Sequence, residues 1–203
     1  MKTLLLVLLI PLAICTGCAK KEETYATQAP VPVDTAANAP VAAAAPAPAP
    51  ATAHVSLTSA AGSSVSGDLT LTNEGTAEGS AVSIRGEITG LAPGKEHGFH
   101  VHEFGECSLP DFKSAGGHFN PTKDPHGGPK SKSRHLGDIA NVTADKNGRA
   151  TIDVSIKGAT LGDTDVGPAE IRGKALVVHA MPDDYKTQPS GGSGARIACG
   201  VIR

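Results

Sequence analysis

The sequence predicts an all-β fold, an antiparallel sandwich or barrel of about eight short strands, on three observations. Short alternating or β-rich segments recur through residues 54–203 with turn signals between them. Helical periodicity is absent, and 24 glycines argue against long helices. The run Asp145-Lys146-Asn147-Gly148 reads as a hairpin between two of the segments, because Asn-Gly accepts the positive φ of a tight turn.

The first two candidates, 54–59 and 67–73, alternate apolar with polar residues, Val55 and Leu57 in one and Leu69 and Leu71 in the other. Residues 82–90 are β-rich, and 97–103 place Phe99 and Val101 between histidines. Residues 139–144 and 150–156 flank the predicted hairpin. The last two, 174–179 and 195–201, are short β-rich runs near the end of the chain. Two stretches do not read as strands: 104–134, rich in Gly, Pro, Lys and His, and 180–194, which ends in Gly191-Gly192-Ser193-Gly194. Loops of this length in a compact domain are usually functional.

The N-terminus reads differently. Lys2 and the apolar run 4–14 have the form of a signal peptide and are too short to span a bilayer. The run ends at Ile14-Cys15-Thr16-Gly17-Cys18, where a small residue precedes a cysteine. This resembles a bacterial lipoprotein signal, 1–18, with cleavage before Cys18 and lipidation of its thiol; the alternative is an ordinary secretory signal with incidental cysteines. Residues 19–53 lack periodicity and become nearly all Ala and Pro, which predicts an extended, flexible tether. The domain expectation is therefore 54–203, long enough for one core.

Without Lys2 the chain has 17 basic against 20 acidic side chains, and no basic run suggests nucleic acid. Cys107 and Cys199, far apart in an exported domain, suit a structural bridge, with free thiols or metal ligation as alternatives; neither has a CxxC partner.

The chemistry is concentrated in imidazole. His100 and His102, two apart in an extended segment, lie on one face of a strand. His118, His126, His135, Asp138 and His179 complete six histidines and one aspartate. His-rich sites suit copper or zinc. Two four-coordinate metals need eight donor positions, so one imidazole using both nitrogens would close the count. Counting alone does not choose which.

Five motifs carry a resemblance: Gly98-Phe99-His100-Val101-His102-Glu103-Phe104-Gly105, Gly117-His118-Phe119-Asn120-Pro121, His126-Gly127-Gly128-Pro129, Arg134-His135-Leu136-Gly137-Asp138 and Gly194-Ala195-Arg196-Ile197-Ala198-Cys199-Gly200-Val201-Ile202. In this order and spacing residues 54–203 resemble the copper/zinc superoxide dismutases. The resemblance implies an eight-stranded Greek-key β-barrel or sandwich with two long functional loops, and one copper and one zinc ion per subunit. It implies His100, His102, His118 and His179 as copper ligands. His118, His126, His135 and Asp138 would be the zinc ligands, with His118 bridging. It further implies a Cys107–Cys199 disulfide, Asp183 as the carboxylate that hydrogen-bonds a ligand of each metal, and Arg196 beside the copper. His118 and Arg196 would be the catalytic residues, superoxide the substrate.

Lys186 in the second loop is the candidate for attracting the anion. His97 fits no ligand position and reads as a structural hydrogen-bonding residue, His54 as exposed or partly packed, and Glu103 and Arg134 as loop-orienting residues. Extra residues around Leu109-Pro110-Asp111-Phe112-Lys113 resemble bacterial members, so a homodimer could not take its geometry from the animal enzymes. With the lipoprotein signal this predicts a lipid-anchored enzyme of a Gram-negative cell envelope, on the periplasmic face or outer membrane. Rival readings are a non-catalytic copper/zinc-binding or copper-delivery protein and a zinc-only structural domain. The complete set of copper-matching histidines, with Arg196, argues against both.

Overall fold

The computed structural model describes residues 51–203 except 77–78 and 163–166. The expected signal, Cys18 and nearly all of the tether lie outside the described residues. Among those described, no helix is long and apolar enough to cross a membrane.

The strands are β1 (Thr52–Ser59), β2 (Ser66–Thr76), β3 (Gly79–Thr89), β4 (Glu96–His97), β5 (Phe99–His102), β6 (Val142–Thr143), β7 (Ala150–Lys157), β8 (Ala175–His179) and β9 (Arg196–Val201). A single 3-10 turn, Lys113–Ala115, interrupts the first long loop. Thr52 and Ala53, at the end of the expected tether, belong to β1. The expected strand 97–103 is split at Gly98, and only Val142–Thr143 of the expected 139–144 pairs as strand.

Seven strands form one antiparallel sheet in the order β5-β8-β9-β1-β2-β3-β7, and β4 pairs with β6. The sheet curls into a half-barrel, with β1 passing from one partner to the other along its length. The strand pairs with β2 from Thr52 to Leu57, and its last residues, Thr58 and Ser59, pair with Cys199 and Ala198 of β9. The edge of β3 is taken by β7 rather than by the next strand in sequence, the crossing expected of a Greek key. The turn read from sequence lies between β6 and β7, but it closes no hairpin, because β6 pairs with β4 and β7 with β3. Asp145 Oδ1 accepts from the N–H groups of Asn147 and Arg149 at 2.8 and 2.9 Å, and Gly148 carries the positive φ, 76°.

Alternation builds the core. Ala53, Val55 and Leu57 of β1, Leu69 and Leu71 of β2, Ile84 and Ile88 of β3, and Ile152 and Ile156 of β7 all face one cluster. Strand β8 is buried on both faces: Leu176 and Val178 join that cluster, while Ala175 and Val177 pack with Phe112, Ala115 and Cys199 under the first loop. The same alternation places the chemistry. Phe99 and Val101 of β5 go to the core, so His100 and His102 take the opposite face, beneath the loops. Cys107 and Cys199 form a disulfide across 92 residues, tying the first loop to β9.

Candidate metal centre

His100 and His102 are set by β5, and His179 by the last residue of β8, next to a register irregularity at Val178/His179. The segment between β5 and β6 supplies the rest, and β5 organises it. Val101 N–H donates to Gly137 O at 3.0 Å, and Phe119 N–H donates to Val101 O at 2.8 Å. Isolated bridges pair His102 with His118 and His100 with Asp138. Gly137 is required here, because a Cβ would run into the Val101 carbonyl.

Two buried groups result, each with its candidate ligand atoms within 4.8 Å of one another: His100, His102, His118 and His179, and His118, His126, His135 and Asp138. His118 is common to both. All six histidines and the aspartate are buried.

The hydrogen bonds fix which nitrogen of each ring is free. His102 Nδ1 donates to Gly116 O at 3.0 Å, and His179 Nδ1 to Gly194 O at 3.3 Å. Their Nε2 atoms are left as acceptors, turned on each other at 3.3 Å. His100 Nε2 donates to Asp183 Oδ2 at 2.9 Å, and His126 Nε2 to Asp183 Oδ1 at 3.0 Å. Nδ1 of His100 and Nε2 of His118 have no hydrogen-bond partner among the described residues. Around Asp138 Oδ1 stand three Nδ1 atoms, of His118 at 2.8 Å, His126 at 3.0 Å and His135 at 3.2 Å. Those of His126 and His135 lack hydrogen-bond geometry to it. Buried lone pairs converging without donors are costly unless a cation sits among them. The residues present therefore fit two metal ions, one site of four nitrogens and one of three nitrogens and an oxygen.

Electrostatics agree. Burial lowers the His118 pKa to about 4, against the opposing hydrogen bond to Asp138. Burial and the neighbouring His100 lower His179 to about 3, and burial with His118 holds His102 well below the ordinary value. These rings are neutral at pH 7, the form that binds metal. Burial would raise the Asp138 carboxyl, but the hydrogen bonds with His118 and the Gly127 N–H, with the His135 ring close by, outweigh it and hold it below the usual range. Asp183 is depressed in the same way, through His100, the Tyr185 N–H and His126.

Arg196 reaches this centre through backbone. Its Nη1 donates to Phe112 O at 2.5 Å and its Nη2 to Gly116 O at 2.6 Å. Gly116 O is thus shared with His102. The extra residues of the first loop turn out to carry one of the two anchors: Phe112 is fully buried, and its carbonyl holds the guanidinium. A surface groove of about 480 Å³ beside Arg196 is walled by Pro110, Asp111, Lys113 and Gly194, and reaches none of the histidines. Lys113 in that wall is ion-paired to Asp111 at 2.6 Å. Lys186 is exposed on the second loop, whose chain turns there because Asp184 Oδ1 accepts the Lys186 and Thr187 N–H groups.

Two further supports lie behind the ligands: His97 has the structural hydrogen-bonding role expected of it, whereas Asn141 had no signal in the sequence. His97 is buried and its Nδ1 donates to the His179 carbonyl at 2.8 Å, bracing β8 from β4. Asn141 holds the backbone of Asp183 from both sides: its Oδ1 accepts the Asp183 N–H at 2.9 Å, and its Nδ2 donates to the Asp183 carbonyl at 3.0 Å. Arg134 and Glu103 do orient loops. Arg134 donates to the His135 carbonyl at 2.8 Å, and Glu103 accepts from the Gly117 N–H at 3.2 Å.

Comparison with known proteins gives a consistent result. The family model of copper/zinc superoxide dismutases matches residues 65–202. Two proteins of Aquifex aeolicus named copper-zinc superoxide dismutases 1 and 2 are 44% and 45% identical over 125 residues, 61% of this chain and 74% and 73% of theirs. An extracellular copper-zinc superoxide dismutase of Brugia pahangi is 42% identical over 131 residues, 60% of this chain and 63% of its own. Among solved structures, a double mutant of a SOD-like protein from Bacillus subtilis is 35% identical, with a TM-score of 0.62 over 73% of this chain and 95% of that one. A clock protein is 38% identical, with a TM-score of 0.65 over 76% and 95%.

Proposed function

The chain belongs to the copper/zinc superoxide dismutase family, and from that premise we propose how its residues divide the work. It is an oxidoreductase with copper and zinc as cofactors, converting two superoxide ions and two protons to dioxygen and hydrogen peroxide. His100, His102, His118 and His179 hold copper; His118, His126, His135 and Asp138 hold zinc. The observation that carries this division is the membership of His118 in both buried groups. When bound, copper supplies the electron acceptor and donor for the two halves of the reaction, and zinc supplies fixed charge without redox change.

The side chains do the rest. His118 presents Nδ1 to the carboxylate side and a partnerless Nε2 to the other. That Nε2 is where a proton is held and then returned to the departing peroxide. Asp183 fixes the tautomers of His100 and His126, one ligand of each metal, through its two oxygens. Arg196, anchored by two carbonyls, keeps a permanent cation beside the copper quartet for a small anion to approach; a lysine could not satisfy both anchors in one plane. With a formal net charge of −2, attraction of superoxide rests on local cations, and Lys186 is proposed as one.

Residues 1–18 are proposed as a lipoprotein signal with lipidation at Cys18, and 19–53 as a tether that presents the enzyme in a Gram-negative envelope, where it removes superoxide arising outside the cytoplasm. The exported name of the Brugia pahangi relative supports work outside the cytoplasm. Labelling with radioactive palmitate, lost in Cys18→Ser, checks the anchor. A homodimer would be read from sedimentation.

The activity itself is tested by superoxide decay after pulse radiolysis, with the purified protein loaded with copper and zinc. A second-order constant of about 10⁹ M⁻¹s⁻¹, the diffusional ceiling this class of enzyme is known to reach, is expected and should survive a chelator of free copper. A rate equal to that of adventitious copper would overturn the catalytic assignment of these residues.

A further inference from the structure

Of the seven candidate ligands, six have backbones pinned by the sheet or by another ligand. His100 and His102 lie in β5 and His179 in β8, while His118 and Asp138 bridge to β5. The His135 N–H donates to Asp138 Oδ2 at 2.9 Å, and its carbonyl accepts the Asp138 N–H at 3.1 Å. His126 is the exception. Its N–H donates to Gln188 Oε1 at 2.8 Å, and its carbonyl accepts from Gln188 Nε2 at 2.9 Å. One carboxamide on the second loop supplies the donor and acceptor that a neighbouring strand supplies elsewhere.

Gln188 is itself held. Its Nε2 also approaches Lys186 O at 3.3 Å, and Asp184 closes the preceding turn by accepting the Lys186 and Thr187 N–H groups and the Thr187 hydroxyl. The arrangement mirrors Asn141, whose carboxamide holds both backbone groups of Asp183. The two amides act on different points. Asn141 positions a residue whose carboxylate touches His100 and His126, one in each metal group. Gln188 positions His126 alone.

We propose that Gln188 is a positioning residue for the zinc side: it places His126 from the opposite loop and so sets zinc retention, independently of the copper quartet. This rests on the assignment of His126 as a zinc ligand. Loss of the clamp leaves two buried backbone groups of a ligand unpaired, and outer supports of this kind typically govern metal affinity about 10- to 100-fold.

The test uses the full chain in detergent, loaded with copper and zinc, as wild type, Gln188→Ala, Gln188→Glu, Asn141→Ala and His126→Ala. Zinc release to a chelating dye, copper release, and the visible spectrum of cobalt substituted for zinc are measured at pH 7. Gln188→Ala is expected to speed zinc release about 10- to 100-fold and to shift the cobalt bands, with copper release within about twofold of wild type. Gln188→Glu keeps the acceptor and loses the donor, so its zinc release falls between. Asn141→Ala is expected to speed the release of both metals. Zinc release from Gln188→Ala within twofold of wild type, or equal acceleration of both metals, overturns the proposal; the second result would mean general collapse of the loop. Wild-type zinc release from His126→Ala would refute the ligand assignment itself, a failure distinguishable from that of the clamp.

Discussion

The strand-borne candidate ligands, His100, His102 and His179, and the loop-borne ones, His126, His135 and Asp138, reach the same depth of burial by different routes. For the first group the fold supplies position directly. Alternation in β5 sends Phe99 and Val101 inward, so the intervening histidines are aimed without further support beyond one hydrogen bond each. The second group has no period to rely on. It depends on backbone bonds from Val101, on the bare α-carbon of Gly137, and on side chains such as Asn141 and Gln188 that substitute for absent strands. His118 belongs to both, a loop residue bridged to β5. Strand geometry places a ligand through bonds the fold needs anyway, whereas a loop must be given dedicated ones.

The comparison breaks most severely at the shared residue. His118→Ala removes a donor from each group and the proposed proton carrier, so kcat/KM for superoxide should fall about 10³-fold, within the range of general acid–base contributions. Metal analysis should find both ions depleted; full zinc occupancy in this variant would contradict a shared ligand.

Next comes acid. In the metal-free protein the folded pKa of His118 is about 4 and that of His179 about 3, against an unfolded value of about 6.5. The unfolded chain therefore takes up protons that the folded one refuses, and stability falls as pH drops through 6.5 towards 4. His118 alone should account for about 3 kcal/mol, and the depressed carboxyls of Asp138 and Asp183 act in the same direction at lower pH. Urea unfolding of chelator-treated protein at pH 7.5, 5.5 and 4.5 measures this, and a flat profile would mean that burial does not keep these rings neutral.

Asp183→Ala sharpens the comparison, because one carboxylate serves a ligand in each group. Both affinities should weaken about 10- to 100-fold, measured by competition with chelators. Weakening confined to one metal would show that the two sides are not coupled here.

Gly137→Ala strikes only the docking of the loop on β5, where the new Cβ meets the Val101 carbonyl. A cost of about 1–3 kcal/mol in thermal unfolding is expected, with zinc lost ahead of copper. Copper lost first would reverse the order of dependence argued above.

Much of this was legible along the chain. The alternation of Val55 and Leu57, the Asp145–Gly148 turn and the pairing of His100 with His102 are local patterns, and strands β1, β5 and β7 follow them closely. The expected strand at 139–144 shrinks to Val142–Thr143 because its first residues are committed elsewhere: Asn141 N–H donates to the Tyr185 hydroxyl and its amide holds Asp183. The split of the expected strand 97–103 at Gly98 has a similar cause. Gly98 N–H donates to the Met181 carbonyl, and its own carbonyl accepts from the His179 N–H.

By itself the sequence determined what repeats or is chemically distinctive: a β-fold from period-two patterning, a histidine-rich candidate metal site from residue type, and the family from motif order. Tertiary structure alone decided the supports. That the Phe112 carbonyl anchors Arg196, that His97 braces His179, and that Asn141 and Gln188 grip backbones 42 and 62 residues away follow no period and no composition. A side chain bonded to a distant backbone group is specified by where two loops meet, and that meeting exists only once the core beneath them has packed.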